Sequence, residues 1–362
     1  MHWAAGIVAV LVILIILVDA FETIILPRRV NRKVRLARFF YLATWTPWKL
    51  LARQMKNRKK RENFLSFYGP LSLLMLFATW SLGLIHSFAG LQWAIGSHLK
   101  TADGLEPDLF TVLYMSGTTF FTLGLGDVTP KTELSRFLTV MEAGVGFAML
   151  AAVIGYLPTI YQAFSRREGV ISMLDARAGS PPSAYELIRR HTEDGAIEAL
   201  NQLFAEWERL AAEIMESHIS YPVLCYFRSQ HDNQSWIAAL TAVLDSCALV
   251  MAGIEGIPDR QARLTFAMAR HAMVDLAQIF GRAPVPGACP RLSDADRQRL
   301  SSMLIENGVR LSNDHKKLDD LRLSYEGYVV SLAAFLAMEV PLWIKKPEAK
   351  DNWTTSAWTA MH

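Results

Sequence analysis

The tightest constraint on this chain is a pair of long apolar runs, about Leu65 to Leu91 and about Leu134 to Phe164, flanking an apolar segment too short to cross a membrane. About 20 apolar residues cover the hydrocarbon core of a bilayer, so each run can span it. The segment between them, Asp108 to Phe121, has room for only about three to four helical turns. A chain that dips into the membrane there must turn back. Non-helical backbone at that depth is tolerated only where it is buried in protein or lines a watery cavity. A further run, Trp3 to Leu26, is broken only by Asp19 and Glu22. It lacks the basic start and small-residue cleavage site of a signal peptide, so it reads as a retained span.

Direction follows from charge. Between the first two spans lie Arg28, Arg29, Arg32, Lys33, Arg35, Arg38, Lys49, Arg53, Lys56, Arg58, Lys59, Lys60 and Arg61, with Glu62 almost their only counterweight. The positive-inside rule puts this loop in the cytoplasm. The N-terminus and the 91–107 connection then lie outside, and the C-terminal half lies inside a cell (inner) membrane crossed several times. Arg166-Arg167 closes the third span on the same side. Phe39, Phe40, Tyr41, Trp45 and Trp48 interleave with the charges, as in a helix lying on anionic inner-leaflet lipids. Plain topology determinants on a solvated face explain the same pattern. For Asp19 and Glu22, pairing with Arg28 or Arg29 is the expectation, and a contact to the pore module is the alternative.

Thr122-Leu123-Gly124-Leu125-Gly126-Asp127 follows the short segment at once. A filter that strips a cation of water needs rings of backbone carbonyls. Aiming successive carbonyls one way requires alternating backbone twists, and glycine accepts positive φ without steric cost. Gly124 and Gly126 alternate with Leu123 and Leu125 in that manner, and Thr122 adds a hydroxyl oxygen. Pro107-Asp108 makes a helix start, and the negative end of that helix would point towards a cation in the cavity.

Thr-Leu-Gly-Leu-Gly-Asp resembles the Thr-Val-Gly-Tyr-Gly-Asp signature of the potassium channel superfamily. The frame of outer helix, pore helix, filter and inner helix over about 65–165 is similar too. The resemblance implies potassium ions at Thr122, Leu123, Gly124 and Leu125, with Gly126 completing the filter. It also implies support from Asp127, braced by Tyr114. Leu125 stands in place of the usual tyrosine, as in some two-pore-domain potassium channels, and Phe121 in place of a threonine. These departures leave a non-selective monovalent cation pore as the alternative.

Counted forward in the same frame, the hinge glycine of the inner helix falls on Gly146, beside Gly144. Close packing against the pore helix requires a glycine equally well. Phe147, Leu150, Ile154, Pro158 and Gln162 share the face expected to line the cavity and form the gate. Pro158 lacks an N–H and is expected to kink the helix. Glu142 is turned away from that face, and a hydrogen bond behind the filter, near Thr118 or Thr119, is expected.

Beyond Ser165 the composition becomes that of a soluble helical protein. Ser180-Pro181-Pro182-Ser183 reads as a linker ending in a helix cap. Helical patterns follow over about 184–191, 194–217, 234–252, 258–280, 293–307 and 312–340. Tyr328 to Ile344 is apolar, but Glu339 and Pro341 argue for a buried bundle helix rather than a span. Trp353 and Trp358 in the tail have no clear reading. No GxGxxG after a strand and no P-loop is present. Cys225, Cys247 and Cys289, with the scattered His191, His218, His231, His271 and His315, have no ligand spacing.

The expectation is an all-α membrane protein: three transmembrane helices, one re-entrant pore helix and filter per subunit, and an α-helical cytosolic domain. Its parts are an N-terminal helix (1–26), a basic cytosolic amphipathic segment (27–64), a pore domain (65–165) and a helical regulatory domain (166–362). One filter segment per chain implies a homo-tetramer. The expected partners are the bilayer and a cytosolic ligand of unknown kind, with no organic cofactor, nucleic acid or catalytic residues. A transporter with filter-like loops carries four in one chain, and only one is found here. A receptor or signalling protein with a vestigial pore is the rival of another class.

Overall fold

A computed structural model describes residues 2–26, 35–96, 99–102, 104, 106–192, 197–231, 233–287, 291–312 and 314–345. Arg28, Arg29, Cys289, Trp353 and Trp358 lie outside them, as does the start of the 194–217 pattern. The described chain is almost wholly helical. In order come α1 (His2–Ala20), running on as a π-helical turn (Phe21–Ile25), α2 (Leu36–Gln54), α3 (Arg58–Ser66) and α4 (Tyr68–Ala94). Then follow β1 (Leu99–Thr101), α5 (Leu109–Phe120), β2 (Val128–Pro130) and α6 (Glu133–Ala178). The rest is α7 (Ala184–Thr192), α8 (Ile197–Ser220), a 3-10 turn (Pro222–Tyr226), α9 (Trp236–Gly253), α10 (Arg260–Ile279), α11 (Asp294–Glu306), α12 (His315–Leu323) and α13 (Glu326–Leu336). The chain divides into two compact units, Met1–Gln54 with Phe67–Tyr161, and Met55–Ser66 with Gln162–His362. The basic stretch between the first two spans is thus shared between them.

In the first unit α1 lies along α4. Small residues permit this: a Cβ added at Gly83 would meet Ile16 Cδ1 at 2.6 Å, and one at Gly6 would meet Ala94 Cβ at 3.3 Å. Asp19 is buried, and its Oδ2 accepts from the Ala37 amide (2.9 Å) and from Trp80 Nε1 (3.1 Å). It therefore caps the start of α2 and ties it to α4, a contact of the alternative kind; Arg28 and Arg29 lie outside the described residues. Glu22 pairs with Arg35 at 3.6 Å. Tyr68, at the head of α4, stacks with Trp45 (4.7 Å between centroids) and meets Thr44 Oγ1 at 2.9 Å, which holds α2 in place. Gln92 on α4 reaches α6: its Nε2 donates to the Ser135 carbonyl (3.1 Å), and Ser135 Oγ donates back to its Oε1 (2.7 Å).

The second unit is built around α9, nearly every residue of which is buried. It is packed by α7, α8, α10, α12 and α13. By length and composition α9 is one of four described helices able to cross a membrane, but 83% of it is buried inside the protein. Its apolarity serves a core. Asp245 on α9 is fully buried and takes two bonds from Arg291 (2.6 and 2.9 Å) and one from the Tyr325 hydroxyl. Arg291 also reaches Glu326 at 2.9 Å, which Arg322 holds at 3.3 Å. Burial opposes the charge on Arg291, but Asp245 and Glu326 outweigh it and push its pKa upward. On α3, Glu62 pairs with the buried Arg228 (3.4 Å), while Arg58 (2.9 Å) and Arg61 (3.4 Å) reach Glu339.

Two helical expectations need correction. The pattern over 312–340 is two helices, because the chain breaks at Ser324-Tyr325 where Tyr325 turns into the Asp245 cluster. The apolar 328–344 stretch is helical only to Leu336; Ala337 then takes φ 53°, and the chain runs on irregularly to a buried Trp343. Ser183 caps as expected, its hydroxyl accepting from the Glu186 amide at 3.3 Å.

Candidate ion pathway

The short segment between the spans forms α5, started by Asp108, whose Oδ1 accepts from the Thr111 amide at 2.8 Å. One side of α5 carries the buried Val112, Met115, Ser116 and Phe120, and it packs on α4. At its other end the helix does not leave its last carbonyls bare. The Thr118 carbonyl accepts from the Leu123 amide (2.8 Å) and the Thr119 carbonyl from Thr122 (2.9 Å). The chain that follows is thereby folded back onto the helix that precedes it.

Along this stretch Thr122 (φ 56°), Gly124 (φ 58°) and Gly126 (φ 79°) adopt positive φ, while Leu123 and Leu125 do not. This is the alternation that aligns successive carbonyls. Glycine pays nothing for it, but Thr122 is held in a conformation that a β-branched residue rarely takes. The side chains of Phe121, Leu123 and Leu125 are exposed on the single chain.

The chain after Gly126 is braced. Tyr114 Oη donates to Asp127 Oδ2 at 2.9 Å, the bond anticipated from the sequence. Asp127 Oδ1 accepts from the Val128 amide (3.1 Å), and its carbonyl accepts from Ala102 (2.8 Å). β1 and β2 pair antiparallel, Leu99 with Pro130 and Thr101 with Val128, and so fasten the loop before α5 to the strand that follows Asp127. Nothing in the local sequence pattern signals this ribbon.

Glu142 on α6 is buried, and its Oε1 accepts from Ser116, two residues before Thr118, near which a bond was expected. Ser116 Oγ also lies 2.8 Å from the Ile85 carbonyl, so one small hydroxyl joins α4, α5 and α6. Thr118 contributes through its carbonyl, and its own hydroxyl bonds Met115 O at 3.0 Å. Ser116 is legible in retrospect as a polar residue on the apolar face of α5.

At Gly146 a Cβ would fall 1.9 Å from the Phe120 carbonyl oxygen, whereas at Gly144 it would meet nothing within 4 Å. Gly146 therefore lets α6 approach the end of α5. α6 is continuous through it, and through Pro158, which does not end the helix. Phe147, Leu150, Ile154 and Pro158 are all exposed along one side of α6, as is Gln162 further on.

In the second unit, the last turns of α6 carry Arg167, which is buried. It bonds Glu168 (3.0 Å), His218 Nε2 (2.9 Å) and the carbonyls of Leu224 and Phe227 (both 3.0 Å). Burial, with the Arg167 charge added, holds His218 well below its usual pKa. The neighbouring Arg166 is exposed.

Two membrane-length helices flanking a short helix and a stretch of alternating backbone are the arrangement expected of an ion-channel pore region. In agreement, residues 73–163 match the family described as "Ion channel". The chain is also 24% identical over 198 residues to the uncharacterized membrane protein YdjJ of Bacillus subtilis (strain 168), covering 54% of this chain and 56% of that one. It thus spans little more than half of that relative's length. No solved structure matches.

Proposed function

We propose that four copies of this chain form a pore that conducts potassium ions passively across a cell (inner) membrane. Thr122, Leu123, Gly124 and Leu125 would coordinate the ions, with Gly126 and Asp127 at the exit. The observation that carries this reading is the alternation of φ through Thr122, Gly124 and Gly126, which is the conformation a ring of inward carbonyls needs. One such segment supplies a quarter of a ring. The apolar strip Phe147, Leu150 and Ile154 is left exposed by the described residues, as expected of a face that lines a shared cavity or gates it by dewetting.

Orientation is taken from the basic loop, which places the N-terminus outside and the second unit in the cytoplasm. Signals from that unit would reach the inner end of α6 through Arg167, whose position is over-determined by four partners. Such conduction needs no catalytic step and no organic cofactor.

The test is single-channel recording of purified protein in planar bilayers. Gly124→Ala should remove current, because a Cβ at positive φ opposes the filter conformation, while the circular dichroism of the helical second unit stays unchanged. Undiminished conduction by this variant would refute the filter assignment. Absence of current from the native chain under varied pH would favour the receptor reading.

A further inference from the structure

We propose that the first unit carries a binding site for an anionic phospholipid at the ribbon end of the α1–α4 seam. A cavity of about 850 Å³ opens there, lined among others by Trp3, Trp93, Lys100, Glu106 and Lys131. It shares Trp3, Ala94 and Ile95 with an apolar groove of about 310 Å³ that runs between the two helices over Ile7, Val10 and Leu91. A polar mouth that continues into an apolar groove fits an amphiphile. The volumes fall in the range of small-molecule sites.

Lys100 and Lys131 are both exposed, and among the described residues neither pairs with an acid. In the described lining these two cations face one acid, Glu106. That favours a headgroup whose phosphate charge is not cancelled by an amine. Trp3 and Trp93 are exposed, and an indole, with an apolar body and one polar edge, suits a membrane–water boundary. A free phosphate would occupy the mouth and leave the groove empty; an acyl chain fills it. At Gly6 the two helices come within contact distance of Ala94, which closes the groove on one side. The inference concerns a lipid-facing seam away from the filter and does not depend on conduction.

The test uses full-length protein in liposomes with a trace of phosphatidylglycerol bearing a photoreactive acyl chain, followed by peptide mapping. Adducts are expected on the segments 3–11 and 91–101. The double variant Lys100→Gln/Lys131→Gln should lower them by roughly tenfold, as should a photoreactive phosphatidylcholine. Adducts on the basic helices α2 and α3 should persist and show that the variant is folded. Equal labelling by both lipids, or labelling indifferent to the variant, would overturn the proposal. Excess inorganic phosphate should not compete; if it does, the mouth is a site for a free anion and the lipid is ruled out.

Discussion

α6 and α9 are both apolar enough to cross a bilayer, yet 17% of the relevant stretch of one is buried and 83% of the other. Composition alone does not separate them; surroundings do. α9 is covered on all sides by helices of its own unit and needs no other solvent. The apolar flanks of α6 remain open on the single chain, with Phe137, Val140, Phe147 and Ile154 each at least 60% exposed. A monomer in water does not tolerate such a surface, so lipid or further subunits must cover it. The two units also treat buried charge differently. The second answers Asp245 with Arg291, Arg322 and Glu326 in one connected cluster, whereas the first spaces single polar residues, Asp19, Gln92 and Glu142, along its helix seams.

Breaking the cluster should have the largest effect. Arg291→Met leaves Asp245 and Glu326 buried without their cation, and should destabilise the second unit by about 3–5 kcal/mol. Denaturant unfolding of the full chain in detergent, followed by near-ultraviolet circular dichroism, measures it. In the first unit Glu142→Gln keeps a bond to Ser116 and should cost below about 1 kcal/mol. A similar loss in both would erase the contrast between clustered and single buried groups.

Next come two glycines of the same helix. Gly146→Ala drives a methyl group into the Phe120 carbonyl and should cost about 3 kcal/mol of pore stability. Gly169→Ala lies in the second unit with nothing within 4 Å, and should stabilise α6 by about 0.5–1 kcal/mol. Thermal unfolding of the two variants side by side checks the opposite signs.

Acid sharpens the comparison further, because it acts on the second unit. His218 is held below its usual pKa by burial and by Arg167, and His191 by burial and by Arg177 and Arg190. The unfolded chain takes up protons near pH 6.5 that the folded chain refuses. Their stabilising contribution is therefore present above about pH 6.5 and is lost as the pH falls, by up to about 1.4 kcal/mol per pH unit for each group. His218→Gln should flatten the decline between pH 6.5 and pH 5, and an unchanged slope would contradict the assignment. The smallest change in stability is expected from Tyr114→Phe, which removes only the bond to Asp127. Its mark should be functional, a roughly tenfold or smaller shortening of sustained current, read in the same bilayer recordings.

Much of the pore was legible because its signals are local. Pro107-Asp108 started α5 where it is found, and the count from Thr122 back to Tyr114 found the partner of Asp127. What was missed depends on distant parts of the chain. Ser116 and Glu142 are 26 residues apart, and neither announces the other. The sequence marks where the apolar run of α6 ends, at Arg166-Arg167, but not that the same helix continues to Ala178. Charge stops burial in lipid, whereas the backbone stops only at Gly179, at φ 81°. The reverse error fell on Ser324-Tyr325, where no glycine or proline marks the break and a buried bond to Asp245 makes it.

The most direct test of the central claim is the reversal potential of reconstituted protein with potassium on one side of a bilayer and sodium on the other. A potassium-selective pore gives a value close to the potassium equilibrium potential. A value midway between those of the two ions would contradict it and leave a non-selective cation pore.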